Sequence, residues 1–230
     1  MWTYSITYSY NQHFSVNRTR NDNLEQQAQA LYKSWFVDFE PFKGVKFVDS
    51  ELGEIPEGWR VVTLKDLVII KYGKDHKKLN NGKIPVYGSG GIMRSVDKFL
   101  YSGESVLIPR KGTLNNVFYV NESFWSVDTM FYTQMKQKNI AKYVYFFVSS
   151  QNLASMNAGS AVPSMTTDIL NGLKCVIAPL GIMNKFEILQ APIFRILQEK
   201  REESQKLSEL RDSLLPKLMS GELKTGDLHR

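Results

Sequence analysis

The chain has 230 residues, 43% hydrophobic and 23% charged, which suits one or two globular modules with a sizeable core and excludes a disordered or fibrous protein. Twenty-nine Lys and Arg against 23 Asp and Glu give a net charge of +6, a balance that permits binding to a polyanion without requiring it. No apolar run is long enough to cross a membrane, the start of the chain lacks the pattern of a secretion signal, and the single cysteine, Cys175, rules out an intrachain disulfide, so the expected setting is a reducing cytoplasm.

Residues 1 to 20 carry no clear helical period and end in the basic Asn17-Arg18-Thr19-Arg20, the character of an arm or an edge strand. From Asp22 the pattern changes. Asp22 and Glu25 have capping-box spacing, and Leu24, Ala28, Leu31 and Trp35 follow on one helical face, which predicts a short amphipathic helix over 22–36. Pro41 disfavours helical geometry at Glu40. Gly44 and Ile55-Pro56-Glu57-Gly58-Trp59 prolong an irregular connection, placing a module boundary near residue 45.

Between Trp59 and Pro179 short β-rich runs alternate with turn residues. Strands are expected at Val68 to Tyr72, Ile84 to Tyr87, Ser105 to Ile108, Val117 to Val120, Thr129 to Met135 and Lys174 to Ala178. Short helices are expected at Thr63 to Leu67, Ile140 to Asn152 and Thr167 to Asn171. Together these make an α+β domain over 46–180, of ordinary domain size.

The last segment, 181–230, is the most periodic. Phe186, Leu189, Ile193, Ile196, Leu207, Leu210 and Leu214 fall on alternating three- and four-residue steps, with Lys200 and Glu203 midway in the same seam. Pro192 should break or kink the pattern early. The expected helix therefore runs from Pro192 to Met219, a rod of roughly 40 Å, with Gly221 as its stop. The helix at 22–36 can cover only part of such a stripe, which points to a second chain as its partner.

The sequence offers no catalytic constellation. There is no Gly-x-x-x-x-Gly-Lys-Ser/Thr loop, and Gly88-Ser89-Gly90-Gly91 reads as a tight turn between strands whose small residues would let a backbone approach DNA. Cys175 sits in an apolar strand-like run as a buried, inert thiol. His13 and His229 lie in terminal segments and His76 in a loop, so neither a triad nor a metal site can be assembled. Glu51, Glu54 and Glu57 are scattered in a Gly/Pro-rich connector, which argues against a metal-dependent nuclease.

Two cationic loops stand out. Lys71-Tyr72-Gly73-Lys74-Asp75-His76-Lys77-Lys78 follows an apolar strand, and Pro109-Arg110-Lys111-Gly112-Thr113 precedes Asn115 and Asn116, residue types suited to phosphates, guanine and adenine edges. Alone, the first reads rather more readily as a solvated Lys-rich loop than as a DNA contact. Two on one small domain give nucleic-acid binding equal standing. The aromatic run Phe124 to Tyr132 reads as a core strand rather than a base-stacking platform.

Taken in order, several short motifs resemble the specificity subunit of type I restriction-modification systems. They are Leu24 to Phe36 (LEQQAQALYKSWF), Ile55 to Trp59, Tyr87 to Ile92, Pro109 to Gly112, Asp128-Thr129, and Leu210 to Gly221 (LRDSLLPKLMSG). In that family a full-length subunit holds two target recognition domains separated by two spacer helices, each domain reading half of an interrupted DNA site. The resemblance implies one half of such a subunit, with 22–36 as the end of a spacer, about 46–180 as one recognition domain and about 181–220 as the distal spacer helix. Residues 1 to 20 match nothing in it.

The resemblance further implies a non-catalytic module that binds double-stranded DNA and places methyltransferase subunits on their site, with restriction subunits in a larger complex. S-adenosylmethionine and ATP would then sit on those partners, and this chain would hold no cofactor or metal. An antiparallel homodimer would restore the two-domain form and read an interrupted palindrome. From side-chain chemistry the expected DNA residues are Lys74, His76, Lys77, Lys78, Ser89, Arg110, Lys111, Asn115 and Asn116. The expected helix-face residues are Leu31, Trp35, Ile193, Ile196, Leu207, Leu210 and Leu214. The alternative from another class is a helical adaptor or decoy that holds the methyltransferase subunit and no DNA.

Overall fold

In a computed structural model, which describes residues 21–156 and 163–220, the chain is α+β, as expected. The arm over 1–20, His13, the stop at Gly221 and His229 lie outside the described residues. The chain divides into two units, Tyr32–Ile188 and the pair of segments Met1–Leu31 and Leu189–Arg230.

The unit Tyr32–Ile188 contains the sheets. An antiparallel hairpin, β1 (Phe47–Ser50) and β2 (Gly53–Pro56), occupies part of the stretch expected to be irregular. Its strands are four residues long and carry Asp49 and Glu54, so they show none of the apolar alternation that marks a strand in sequence. β3 (Arg60–Thr63), also unforeseen, pairs antiparallel with β10 (Lys174–Ile177).

The main sheet has six strands: β4 (Val68–Tyr72), β5 (Asn81–Gly88), β6 (Gly91–Val96), β7 (Tyr101–Pro109), β8 (Phe118–Ser126) and β9 (Met130–Met135). Their spatial order is β4-β9-β7-β8-β5-β6. Neighbours are antiparallel except β5 and β8, which run parallel with Val86 opposite Trp125. Val86, Val96, Leu107, Phe124 and Met130 are fully buried at its centre. The aromatic run at 124–132 is thus core, with Phe131 and Tyr132 also buried.

Short helices α2 (Leu64–Leu67), α3 (Ala141–Ser149) and α4 (Thr167–Asn171) cover the remainder. Tyr143, Phe146 and Phe147 of α3 are buried, and the Phe36 ring meets those of Tyr143 at 4.7 Å and Phe186 at 4.9 Å, both edge-on. Such edge-on pairs favour the quadrupoles of both rings. Lys142 is buried too. Its ammonium pairs with the carboxylates of Glu104, at 3.1 Å, and Glu187, and Tyr119 donates its hydroxyl to Glu104 at 2.5 Å. A buried cation persists only with such compensation.

In the other unit the helix over 21–36, α1, contributes its residues up to Leu31, and α5 (Leu180–Met219) contributes those from Leu189. The fully buried Gln190 donates its amide to the carbonyl of Ala28 at 2.8 Å, and Arg201 lies 3.5 Å from Glu25. α5 has 40 residues, so it spans about 60 Å rather than the expected 40 Å. Its start at Leu180 corrects the expected start at Pro192, which lies inside the helix. Proline removes the hydrogen bond to the carbonyl of Ile188, and both Ile188, 70% exposed, and Pro192 lie on the open side of the helix. No helix among the described residues is long and apolar enough to cross a membrane.

Candidate nucleic-acid interface

The turn between β8 and β9, Val127-Asp128-Thr129, organises the loops around it. The N–H of Gly73 donates to the carbonyl of Met130 at 2.9 Å and that of Lys74 to Ser126 at 2.8 Å, which binds the loop after β4 to the turn. Trp125 reinforces this contact by donating its indole N–H to the Lys74 carbonyl at 2.9 Å. From the other side the N–H groups of Arg110 and Lys111 both donate to the Thr129 carbonyl, at 2.8 and 3.2 Å. Val127 in turn donates to Tyr87 near the end of β5 at 3.0 Å.

The loop after β7 also grips the turn between β5 and β6. Asn116 donates its amide to the Ser89 carbonyl at 2.7 Å. Gly112 has φ of 87°, and a Cβ there would lie 2.9 Å from Ser89 Oγ, so only glycine allows both the backbone conformation and the approach.

The structure thereby gathers Lys74, Ser89, Arg110, Lys111 and Asn116 from separate loops into one bonded set. Lys77 and Lys78 are exposed on the same loop as Lys74. The Lys77 N–H donates to the Asp75 carboxylate at 3.0 Å, and that hydrogen bond, helped by the nearby Lys77 and His76 charges, holds the Asp75 carboxyl below the usual carboxylate range. His76 is half-buried, and its Nδ1 has no partner. Asn115 is placed apart, because its carbonyl oxygen accepts the Ala154 N–H at 2.9 Å.

The charge is local. Residues 71 to 111 hold nine Lys and Arg against three Asp and Glu, an excess equal to the +6 of the entire chain. Among the described residues, none of Lys74, Lys77, Lys78, Lys83, Lys98 and Lys111 forms a salt bridge. Exposed ammonium groups without an ion-pair partner attract phosphates and release their counterions. Tyr72, named in the cationic run, lies beneath the Arg110 guanidinium at 5.4 Å, a pairing between two segments distant in sequence that leaves no local signal.

Of the helix-face residues, Trp35 packs against Phe42 and Phe186. Leu31, Ile193, Leu207 and Leu214 are half-buried, and Ile196 and Leu210 are exposed. The described residues hold no group of three or more His, Cys, Asp or Glu able to bind a metal, and Cys175 is buried in β10.

The cationic loops thus stand at strand ends of an α+β domain. The profile of the type I restriction modification DNA specificity domain matches residues 56–211. The chain belongs to that family. It is 28% identical to the MjaIX type I restriction enzyme specificity subunit of Methanocaldococcus jannaschii, over 92% of this chain and 55% of that protein. It is 23% identical to the HindI specificity subunit of Haemophilus influenzae, over 90% of this chain and 63% of that protein. The chain thus spans little more than half the length of these relatives. The crystal structure of the S subunit of a type I restriction-modification system from M. genitalium shares its fold, with TM-score 0.67 and 17% identity over 94% of this chain and 58% of that one.

Proposed function

We propose that the chain reads one half of a bipartite DNA site and places a partner adenine methyltransferase, and in a larger complex a restriction subunit, upon it. S-adenosylmethionine and ATP are then bound by the partners. The observation that carries this reading is the bonding of the loops after β4, β5 and β7 around Val127-Asp128-Thr129, with the chain's net positive charge concentrated in the same segment. Phosphate contacts from the lysines would set register, while side chains at the loop ends would read base edges.

The proposal includes pairing with a second copy of the chain. Its support is the apolar stripe of α5, where Leu189, Ile196 and Leu210 repeat at heptad spacing and stay exposed. Two identical domains related by a two-fold axis would read identical half-sites in inverted orientation. Adenine methylation mapping of DNA modified by this chain with its methyltransferase subunit tests the reading, with the mass of the chain in solution measured alongside. An interrupted palindrome and a dimer are expected. Two unlike half-sites would overturn the paired form, and methyltransferase binding without methylation would favour an adaptor.

A further inference from the structure

β6 is an edge strand, and its pairing with β5 slips by one residue. Val86 faces Arg94 while Tyr87 faces Ile92, so Met93 is the extra residue of a β-bulge. In a regular strand Ile92 and Met93 would point to opposite faces. Here both are exposed, Ile92 by 50% and Met93 by 61%. Bulges alter side-chain direction locally and recur beside functional sites.

The packing behind the bulge accommodates it. A Cβ at Gly88 would lie 2.6 Å from Met93 Sδ, so the thioether lies over the face of Gly88. The turn leading into β6 is the one fastened to the cationic loop through Asn116 and Gly112. Arg94, next along the strand, is committed to the Leu79 carbonyl and the Asn81 side chain, both at 3.0 Å, and is engaged in bracing the β4–β5 loop. The bulge therefore presents two uncharged, apolar side chains from within the stretch that holds the chain's excess positive charge.

We infer that Ile92 and Met93 are specificity-determining residues that contact base edges, such as the methyl group of thymine, while the surrounding lysines hold the phosphates. This rests on the DNA-reading function proposed above and names the side chains that discriminate. The occupant is duplex DNA because the turn leading into β6 is fastened to the loop that carries Arg110 and Lys111, and apolar contact in a groove adds sequence preference without adding charge neutralisation.

The test uses the full chain and two fluorescent duplexes of equal length. One is selected by the wild-type chain from a random-sequence pool, and the other is its scrambled counterpart. The Ile92→Ala/Met93→Ala variant should lose about ten-fold of the preference for the selected duplex. Its affinity for the scrambled duplex and its salt dependence should stay unchanged. Met93→Gln, close in size but polar, should lose preference with wild-type thermal stability, which guards against a folding defect. Unchanged preference in both variants would overturn the inference, as would an equal loss on both duplexes. A wild-type chain that selects no duplex would instead overturn the DNA-reading function itself.

Discussion

The guanidinium of Arg110 lies over the ring of Tyr72, 5.4 Å from its centroid. Tyr72 in turn meets the fully buried Phe131 edge-on at 5.0 Å, and Arg110 donates to the Asp128 carbonyl at 3.3 Å. A cation at the loop surface is thus oriented by a strand-end aromatic and anchored to the core. Arg110→Lys keeps the charge but loses the planar stack. It should weaken DNA binding while retaining the salt slope, whereas Arg110→Ala should also reduce the slope by about 0.9. Fluorescence anisotropy at several salt concentrations separates the two.

On α5 the exposed stripe makes a different demand. Leu210 is 54% exposed and Leu207 half-buried one turn earlier. Replacing both with Asp places charges in any helical seam they form. Sedimentation should show the mass of the chain falling to that of one copy. An unchanged dimer would remove this stripe from the interface.

Asp66 predicts how stability responds to acid. Thr63 donates both its hydroxyl, at 2.6 Å, and its N–H, at 2.8 Å, to the Asp66 carboxylate. These bonds hold the carboxyl below its ordinary value. The folded value is the lower one, so the contribution is complete above the unfolded value of about 3.9 and is lost as pH falls through the folded value. Asp66→Asn should melt below wild type at neutral pH, with the gap closing below about pH 4. A gap independent of pH would contradict the assignment.

Cys175 is buried, and that burial pushes its thiol up to about 11. A thiol reagent at about pH 8 should leave the native chain unlabelled and label it after unfolding. Labelling of the native chain at the rate of a free thiol would show that β10 opens.

The parts of the fold that are legible in sequence share a physical cause. β4 falls on Val68–Tyr72 and α4 on Thr167–Asn171, the spans expected from sequence, because an apolar run and a threonine N-cap are local signals. The turn at Gly88 to Gly91 between two strands is legible in its glycines, whereas the extent and pairing of β6 are not, because the bulge at Met93 interrupts the two-residue period. Pro192 misleads because the cost of a helical proline depends on whether it lies on the open side of the helix, which only the packing decides. At the candidate site, residue type points to Arg110, Lys111 and Lys74. The turn at Val127-Asp128-Thr129 that unites them acts through backbone carbonyls, which carry no side-chain signature.

The central claim is that the lysines of the β4–β5 loop hold DNA phosphates. The most direct test compares the wild-type chain with Lys77→Ala/Lys78→Ala, measuring affinity for one duplex across a range of salt. The account predicts weaker binding to every sequence and a slope shallower by about 0.9 for each phosphate that the variant no longer neutralises. An identical slope in the two proteins would show that this loop faces away from DNA and would contradict it.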